Sequence, residues 1–100
     1  MAIADHMPGV AQDVAGFLKG LANPQRLLIL CALMRGERSV TRLIEETGIA
    51  QTSMSQHLAK LKDEGIVTYR RDHRTLYYSI CHAAVADLMA VLDRHFCNGA

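Results

Sequence analysis

The spacing of apolar residues changes at Gly65, and this change limits the folds open to the chain. Before Gly65, apolar residues recur every three or four positions, as they do along one face of a helix. After it, they alternate with polar residues over 67–69 and again over 76–80, which is typical of a hairpin. Helical spacing returns from His82. The sequence therefore predicts a mainly α-helical fold with one β-hairpin, in the order α-α-α-α-β-β-α.

The helices predicted before the hairpin have recognisable ends. Asn23 and Pro24 suit the cap and first turn of a helix that contains the apolar run 27–34. Ser39 is the expected cap of a third helix, and Gly48 suits the left-handed position that closes it. Because the run 27–34 has no polar break, the second helix is expected to be buried nearly all round.

The length of the chain limits its domain count and its stability. The first nine residues include Pro8 and Gly9 and are expected to form a flexible arm, which leaves residues 10–100 as one domain. A domain of this size buries only about 60 to 65% of the surface that its unfolded chain exposes. Pairing with a second copy is therefore expected.

The composition excludes several classes of protein. The 11 Lys and Arg residues against 10 Asp and Glu give a net charge of +1, so any contact with nucleic acid must come from local charge. The apolar run 27–34 is far shorter than the ~20 residues of a membrane span, and the N-terminus lacks the pattern of a signal peptide. A cytoplasmic protein with no membrane partner is expected. Three cysteines are too few and too scattered for a disulfide scaffold.

The short helices on either side of Gly48 suit a helix-turn-helix, in which the second helix enters the major groove of DNA. The outward face of that helix is predicted to pair with base edges and phosphates. Its candidate residues are Gln51, Thr52, Ser53, Ser55, Gln56, His57 and Lys60. The alternative interpretation is a polar helix face that is only solvated.

The tip of the predicted hairpin is strongly basic. Arg70, Arg71 and Arg74 fall within five residues, with His73 among them, and such a cluster suits contact with phosphates or the minor groove. A basic hairpin beside a helix-turn-helix indicates a winged helix-turn-helix that binds double-stranded DNA. The alternative is a charged tip that keeps an exposed hairpin edge soluble.

Four segments of the chain follow one another in the order and spacing of a known family. They are residues 21–30 (LANPQRLLIL), 52–61 (TSMSQHLAKL), 65–67 (GIV) and 74–80 (RTLYYSI). Together they resemble the ArsR family of dimeric winged-helix repressors. The resemblance implies a cytoplasmic homodimer that leaves an inverted-repeat operator when it senses an inducer, with 51–60 as the recognition helix. The wing would be 70–74, where His73 departs from the glycine that the family often has.

The resemblance also implies that two copies pair through their first and last helices. The apolar residues expected at this dimer interface are Val14, Phe17, Leu18, Leu88, Met89, Leu92 and Phe96.

Many members of the family sense metal ions at one of two places. At the first, the stretch 39–43 has no thiol here, which excludes soft-metal binding on ligand chemistry. At the second, His82 and His95 fall near two of four family positions, but Ala84 and Asn98 occupy the others. Such a set would hold only a weak zinc site, and the alternative is a pair of surface histidines. No cofactor is expected.

Two of the cysteines resemble the thiol pair of a subgroup, the BigR and SqrR-like persulfide sensors. Cys31 follows the Arg-Leu-x-x-Leu run of the second helix, and Cys97 follows a final Phe. The resemblance implies that a disulfide or polysulfide joins the two thiols of one subunit and that the dimer then loses its operator. A peroxide or another electrophile is an alternative inducer, and small buried apolar side chains are the structural alternative. Cys81 has no counterpart in this pattern.

Two other classes of function compete with a repressor. An enzyme is disfavoured because the chain has no Gly-rich phosphate loop, no paired carboxylates in an apolar setting and no Ser-His-Asp arrangement. A protein-interaction module is the second alternative, and a steep salt dependence of DNA binding would exclude it.

Overall fold

A computed structural model describes residues 2–97, and its elements follow the predicted order with one addition. The part that it describes has helices α1 to α5 and strands β1 to β3. In chain order these are α1 Ile3–Leu21, α2 Pro24–Leu33, β1 Arg38–Ser39, α3 Val40–Thr47, α4 Gln51–Asp63, β2 Val67–Asp72, β3 Thr75–Ile80 and α5 Ala83–Leu92. A π-helical turn, Asp93–Cys97, continues α5. The three strands form an antiparallel sheet in the order β1-β3-β2. The mainly helical fold with a hairpin is confirmed.

The predicted helix ends are also confirmed. Oδ1 of Asn23 accepts hydrogen bonds from the backbone amides of Gln25 and Arg26, at 2.9 and 3.1 Å. The Ser39 hydroxyl accepts one from the amide of Arg42 at 3.1 Å. Gly48 closes α3 with φ 74°, a conformation that costs glycine little because it has no Cβ.

The arm expected over residues 1–9 is instead helical from Ile3 onward. Pro8 lies inside α1, where it lacks the amide that would bond to the carbonyl of Ala4. Both residues are exposed, so water can solvate that carbonyl. Asp5 lies in the first turn, where a negative charge favours the helix dipole. The only buried residues of α1 are Gly20 and Leu21, so most of this helix stands clear of its own chain.

The core lies between α2, α4 and the sheet. Helix α4 buries its predicted stripe of Met54, Leu58 and Leu61, none of which is more than 1% exposed. Helix α2 buries the segment 29–30 and also Ala32 and Leu33. The remaining core residues are Leu21, Leu43, Ile49, Ile66, Val67, Tyr78, Val85 and Met89.

The expectation that α2 is buried nearly all round is wrong. Leu28 is 50% exposed, Met34 is 42% exposed and Cys31 is also exposed. These residues border two open grooves, one beside α3 and one beside α5. The apolar run therefore has one face in the core and one exposed strip.

Strand β1 was not predicted because it has only two residues, too few to carry a periodic pattern. Arg38 and Ser39 pair with Tyr78 and Tyr77 of β3. Nε of Arg38 also lies 3.0 Å from a carboxylate oxygen of Glu46 on α3. The strand thus ties the helix-turn-helix to the hairpin.

Candidate nucleic-acid interface and thiol groove

Helices α3 and α4 form a helix-turn-helix whose second helix presents a polar face. The turn is residues 48–50, in which Ile49 is buried and fixes the entry to α4. Because the core side of α4 is fully buried, its opposite side faces solvent. The exposed predicted residues on that side are Gln51, Thr52, Ser55, Gln56 and Lys60, and Ser53 is half-buried.

His57 differs from the other predicted contacts because both of its ring nitrogens have partners within the chain. Nε of Arg26 donates to Nδ1 at 3.3 Å, and Nε2 lies 2.8 Å from Oε1 of Gln25. Arg26 also donates from Nη1 to the carbonyl oxygen of Gly20 at 2.8 Å. Burial, and to a smaller degree the charge of Arg26, lower the pKa of His57. His57 therefore joins α4 to α2, and its ring is not free to pair with a base.

The hairpin forms the wing, and its tip confirms the expectation about His73. That residue takes φ 57°, in the left-handed region that non-glycine residues rarely adopt. It lies between Asp72 and Thr75, the last pair of the hairpin ladder. Arg71 and Arg74 are exposed, and neither forms an ion pair with another residue in the range 2–97.

Arg70 points to a different task from its two neighbours. Its Nη2 lies 2.6 Å from Oε1 of Glu37, its Nε also donates to that carboxylate, and its guanidinium lies over the ring of Tyr77. The hydrogen bond from Arg70 lowers the pKa of Glu37. Because this charge already has a partner, Arg70 fixes the wing against the α2–β1 connection, and two arginines at the tip remain free for DNA.

All three cysteines are free and exposed. Cys31 lines a groove of about 490 Å³ whose other wall is the C-terminal part of α5. We call this the thiol groove. Its lining residues are Cys31, Met34, Arg35, Met89, Ala90, Asp93 and Arg94. Cys97 ends the π-helical turn that begins at Asp93. Exposure of Cys31 and Cys97 disagrees with the alternative that they are small buried apolar side chains.

Cys81 has a local structural contact. Its thiol donates to the carbonyl oxygen of Gly65 at 3.4 Å, and its amide donates to that of Ile66 at 3.0 Å. These contacts close the base of the hairpin.

The two histidines considered as metal ligands lie in different settings. Nδ1 of His82 accepts a hydrogen bond from the amide of Ala84 at 3.1 Å, so this residue caps α5. Its ring also packs against Phe17, with 4.9 Å between centroids. His95 is exposed in the π-helical turn. Asn98 lies outside the described residues. Among residues 2–97, no three His, Cys, Asp or Glu side chains lie close enough together to hold a metal ion.

The expected dimer surface is partly open and partly used by the core. Leu18 is 47% exposed and Phe96 is 79% exposed, whereas Met89 is 7% exposed and packs inside the core. Val14, Phe17, Leu88 and Leu92 are half-buried. Met89 therefore has little surface left to offer a partner.

The surface of the chain is large for its mass. Its accessible area is 6889 Å², whereas a monomer of this mass is expected to expose about 5,600 Å². Its radius of gyration is 14.8 Å, against about 13 Å for a compact domain of 100 residues. The excess reflects the unpacked length of α1.

A helix-turn-helix flanked by a basic hairpin defines a winged-helix DNA-binding regulator. Residues 23–69 match the model of a family described as "Bacterial regulatory protein, arsR family". The chain belongs to this family, whose members similar to it are transcriptional regulators and not enzymes. In the described part of the chain, no helix has the length and apolar character that a membrane crossing requires.

Similar proteins support this assignment. The chain is 44% identical over 83 residues to the nodulation protein NolR of Rhizobium meliloti, covering 83% of this chain and 68% of that protein. It is 40% identical over 88 residues to the biofilm growth-associated repressor of Xylella fastidiosa, covering 88% and 77%. The crystal structure of the transcriptional repressor BigR from Xylella fastidiosa matches with a TM-score of 0.89 and 38% identity, over 97% of this chain and 98% of that one.

Proposed function

We propose that the protein is a homodimeric transcriptional repressor that releases its operator when Cys31 and Cys97 become joined. Reactive sulfur species are the proposed inducers. The observation that carries this proposal is the thiol groove, in which an exposed thiol of α2 faces the segment of α5 that leads to Cys97.

The DNA-binding half of the proposal rests on two exposed sets of side chains. The outer face of α4 offers Gln56 for adenine edges and Lys60 for phosphates or guanine. At the wing tip, Arg71 and Arg74 carry charges without partners in the described part of the chain. In a dimer, the two recognition helices would enter half-sites about 34 Å apart, one helical turn of DNA.

Dimer formation rests on the surface of α1 and α5. Helix α1 exposes Val10 and Leu18 by 45 and 47%, and α5 with its π-helical turn exposes Val91 and Phe96 by 39 and 79%. A stable interface buries about 800 Å² on each partner, which is within the excess surface of this chain. Burial of these side chains by a second copy would complete the domain.

The thiol pair is supported by the geometry of the π-helical turn. Asp93 and Arg94 line the groove opposite Cys31, and Cys97 follows Asp93 by four residues in a helix whose hydrogen bonds span five. This spacing returns Cys97 to the groove side of the turn. A disulfide requires β-carbons about 3.8 Å apart, and a chain of several sulfur atoms spans more.

The proposed signal reaches DNA through α2. This helix carries Cys31 near its middle and holds His57 of the recognition helix through Gln25 and Arg26 at its start. A bridge from Cys31 to α5 would restrain α2 and, with it, the position of α4. A coupling of roughly 1 to 3 kcal/mol would weaken operator binding about 5- to 150-fold.

The experiment measures operator release by the reduced full-length protein after treatment with a persulfide. Wild type and Cys81→Ser are expected to release DNA, whereas Cys31→Ser and Cys97→Ser are expected to stay bound. Mass spectrometry of the intact wild type identifies the bridge and counts its sulfur atoms. Release by either of the last two variants would contradict the proposed switch, and failure of every variant to bind promoter DNA would contradict the repressor.

A further inference from the structure

The arginines of this chain divide into two groups. Four have partners in the described structure: Arg26 with His57 and Gly20, Arg38 and Arg42 with Glu46, and Arg70 with Glu37. For the other four, no side-chain hydrogen bond or ion pair occurs within residues 2–97. Two of these, Arg71 and Arg74, lie at the wing tip. The other two, Arg35 and Arg94, line the thiol groove.

The thiol groove combines these charges with a nucleophile and an apolar wall. Arg35 projects from α2 beyond Cys31, and Arg94 projects from the opposite wall, while Met34, Met89 and Ala90 supply apolar surface. Asp93 is the only carboxylate among the lining residues, so the lining keeps a net positive charge. Its volume of about 490 Å³ is within the usual range for small-molecule sites.

Dimer formation through α1 and α5 leaves this groove accessible. At about 100° per residue, Leu88 and Ala90 lie on opposite sides of α5. Leu88 belongs to the proposed dimer surface and Ala90 lines the groove. A partner that covers the first side therefore does not fill the second.

We propose that the thiol groove is a docking site for an organic persulfide that carries carboxylates, of the glutathione persulfide class. The inference rests on the proposed function and names the chemical class of its inducer. Arg35 and Arg94 bind the carboxylates of the donor, because guanidinium groups match carboxylates in both charge and geometry. The apolar wall packs against the carbon chain, and the terminal sulfur of the donor then faces Cys31.

The chemistry of this docked donor is balanced without a further oxidant. The Cys31 thiolate attacks the terminal sulfur of R–S–SH, so that a new S–S bond forms, the old one breaks and R–S⁻ leaves. The Cys97 thiolate then attacks Sγ of Cys31 and expels HS⁻, which gives a Cys31–Cys97 disulfide. Both thiols are oxidised, and the sulfane sulfur of the donor is reduced to sulfide.

The test measures the second-order rate at which Cys31 of the reduced full-length protein is modified, by mass spectrometry, with three donors. The donors are glutathione persulfide, the persulfide of N-acetylcysteamine, which has no carboxylate, and inorganic disulfide anion. Arg35→Gln and Arg94→Gln are each expected to slow the glutathione donor by about 2- to 5-fold, the effect of one exposed ion pair. Both variants should leave the uncharged donor within about 2-fold of wild type. Lys62→Gln removes the same charge far from the groove and serves as the control.

Each other outcome has a definite meaning. Equal slowing of the glutathione and N-acetylcysteamine donors would overturn the docking site, since the arginines would then act on the thiol. Equal slowing of the inorganic anion would overturn the assignment to carboxylates, and unchanged rates would overturn the inference as a whole. Operator release distinguishes these failures from failure of the switch. If wild type still releases DNA while Cys31→Ser does not, the proposed function stands without the docking site.

Discussion

Nε of Arg26 donates a hydrogen bond to Nδ1 of His57 across 3.3 Å, joining the first turn of α2 to the middle of the recognition helix. Because Nδ1 accepts, the ring proton lies on Nε2 and is donated to Oε1 of Gln25 at 2.8 Å. Residues that are 31 and 32 positions apart in sequence therefore fix one imidazole in one tautomer. The orientation of α4 depends on this contact as well as on its buried stripe.

Replacement of His57 is expected to weaken operator binding without changing the preferred base sequence. His57→Ala removes two hydrogen bonds, each of which contributes about 1 kcal/mol, so unfolding should also occur at lower temperature. Gln56→Ala is the matched comparison, because the exposed neighbour is expected to alter base preference instead. Binding isotherms on operators with single base changes separate the two effects. A changed base preference in His57→Ala would contradict the positioning role.

The same contact predicts a pH dependence of stability. Burial and the charge of Arg26 hold the pKa of His57 below 6.5, its ordinary value, so the unfolded chain binds this proton more tightly than the folded one. The stabilisation is fully present above about pH 6.5 and is lost as the pH falls through the lowered pKa of the folded state. Lys19, Lys60 and Glu64 line the cleft beside Arg26 and belong to the same electrostatic environment.

Denaturant unfolding between pH 7.5 and 5.5 measures this dependence (pH values chosen about the reference pKa of histidine). His57→Gln keeps a hydrogen-bonding side chain but cannot titrate, so its stability should fall less than that of wild type over this range. Identical pH profiles for the two proteins would show that His57 does not supply the effect.

The three wing arginines are expected to differ in the salt dependence of DNA binding. Arg71→Ala and Arg74→Ala should each weaken binding and reduce the slope of log K against log salt by about 0.9, the value for one phosphate contact. Arg70→Ala should change the slope less, because Glu37 already balances its charge. Titrations at several salt concentrations measure the slopes. A full unit lost with Arg70→Ala would place that side chain on a phosphate.

The exposed apolar side chains of α1 and of the π-helical turn provide a test of the dimer. Leu18→Glu and Phe96→Glu each place a charge where the proposed interface would be apolar, so both should shift the protein toward monomer. Gln12→Glu introduces the same charge on α1 outside its apolar stripe and should leave the dimer intact. Sedimentation over a range of concentrations measures the equilibrium. Equal dissociation of all three variants would argue against an interface at these positions.

Much of the fold follows from local signals in the sequence. Asn23, Ser39 and Gly48 predict helix ends because capping and left-handed backbone depend on one or two residues. The alternation on either side of His73 predicts the hairpin for the same reason. The start of α1 escaped prediction because Pro8 and Gly9 have the composition of a loop, although both fit an exposed helix.

The rest of the site depends on contacts between distant residues. Periodicity placed Met89 in an apolar stripe, but it could not tell whether the chain itself or a partner covers that stripe. Likewise, the outward faces of α4 and the wing predicted His57 and Arg70 as DNA contacts. Their partners, Arg26 and Glu37, lie more than 30 positions away and are visible only in the folded chain.

Helix α1 has 19 residues and buries only two of them within its own chain. An isolated helix of this length is marginal in water, so α1 draws its stability from whatever covers it. In the proposed dimer, ordering of α1 and association are therefore one thermodynamic event, and the melting temperature rises with protein concentration. A cell that makes little of this regulator would hold a larger share of it as unassembled chains, and the amount of protein would set how much operator is occupied before any inducer arrives.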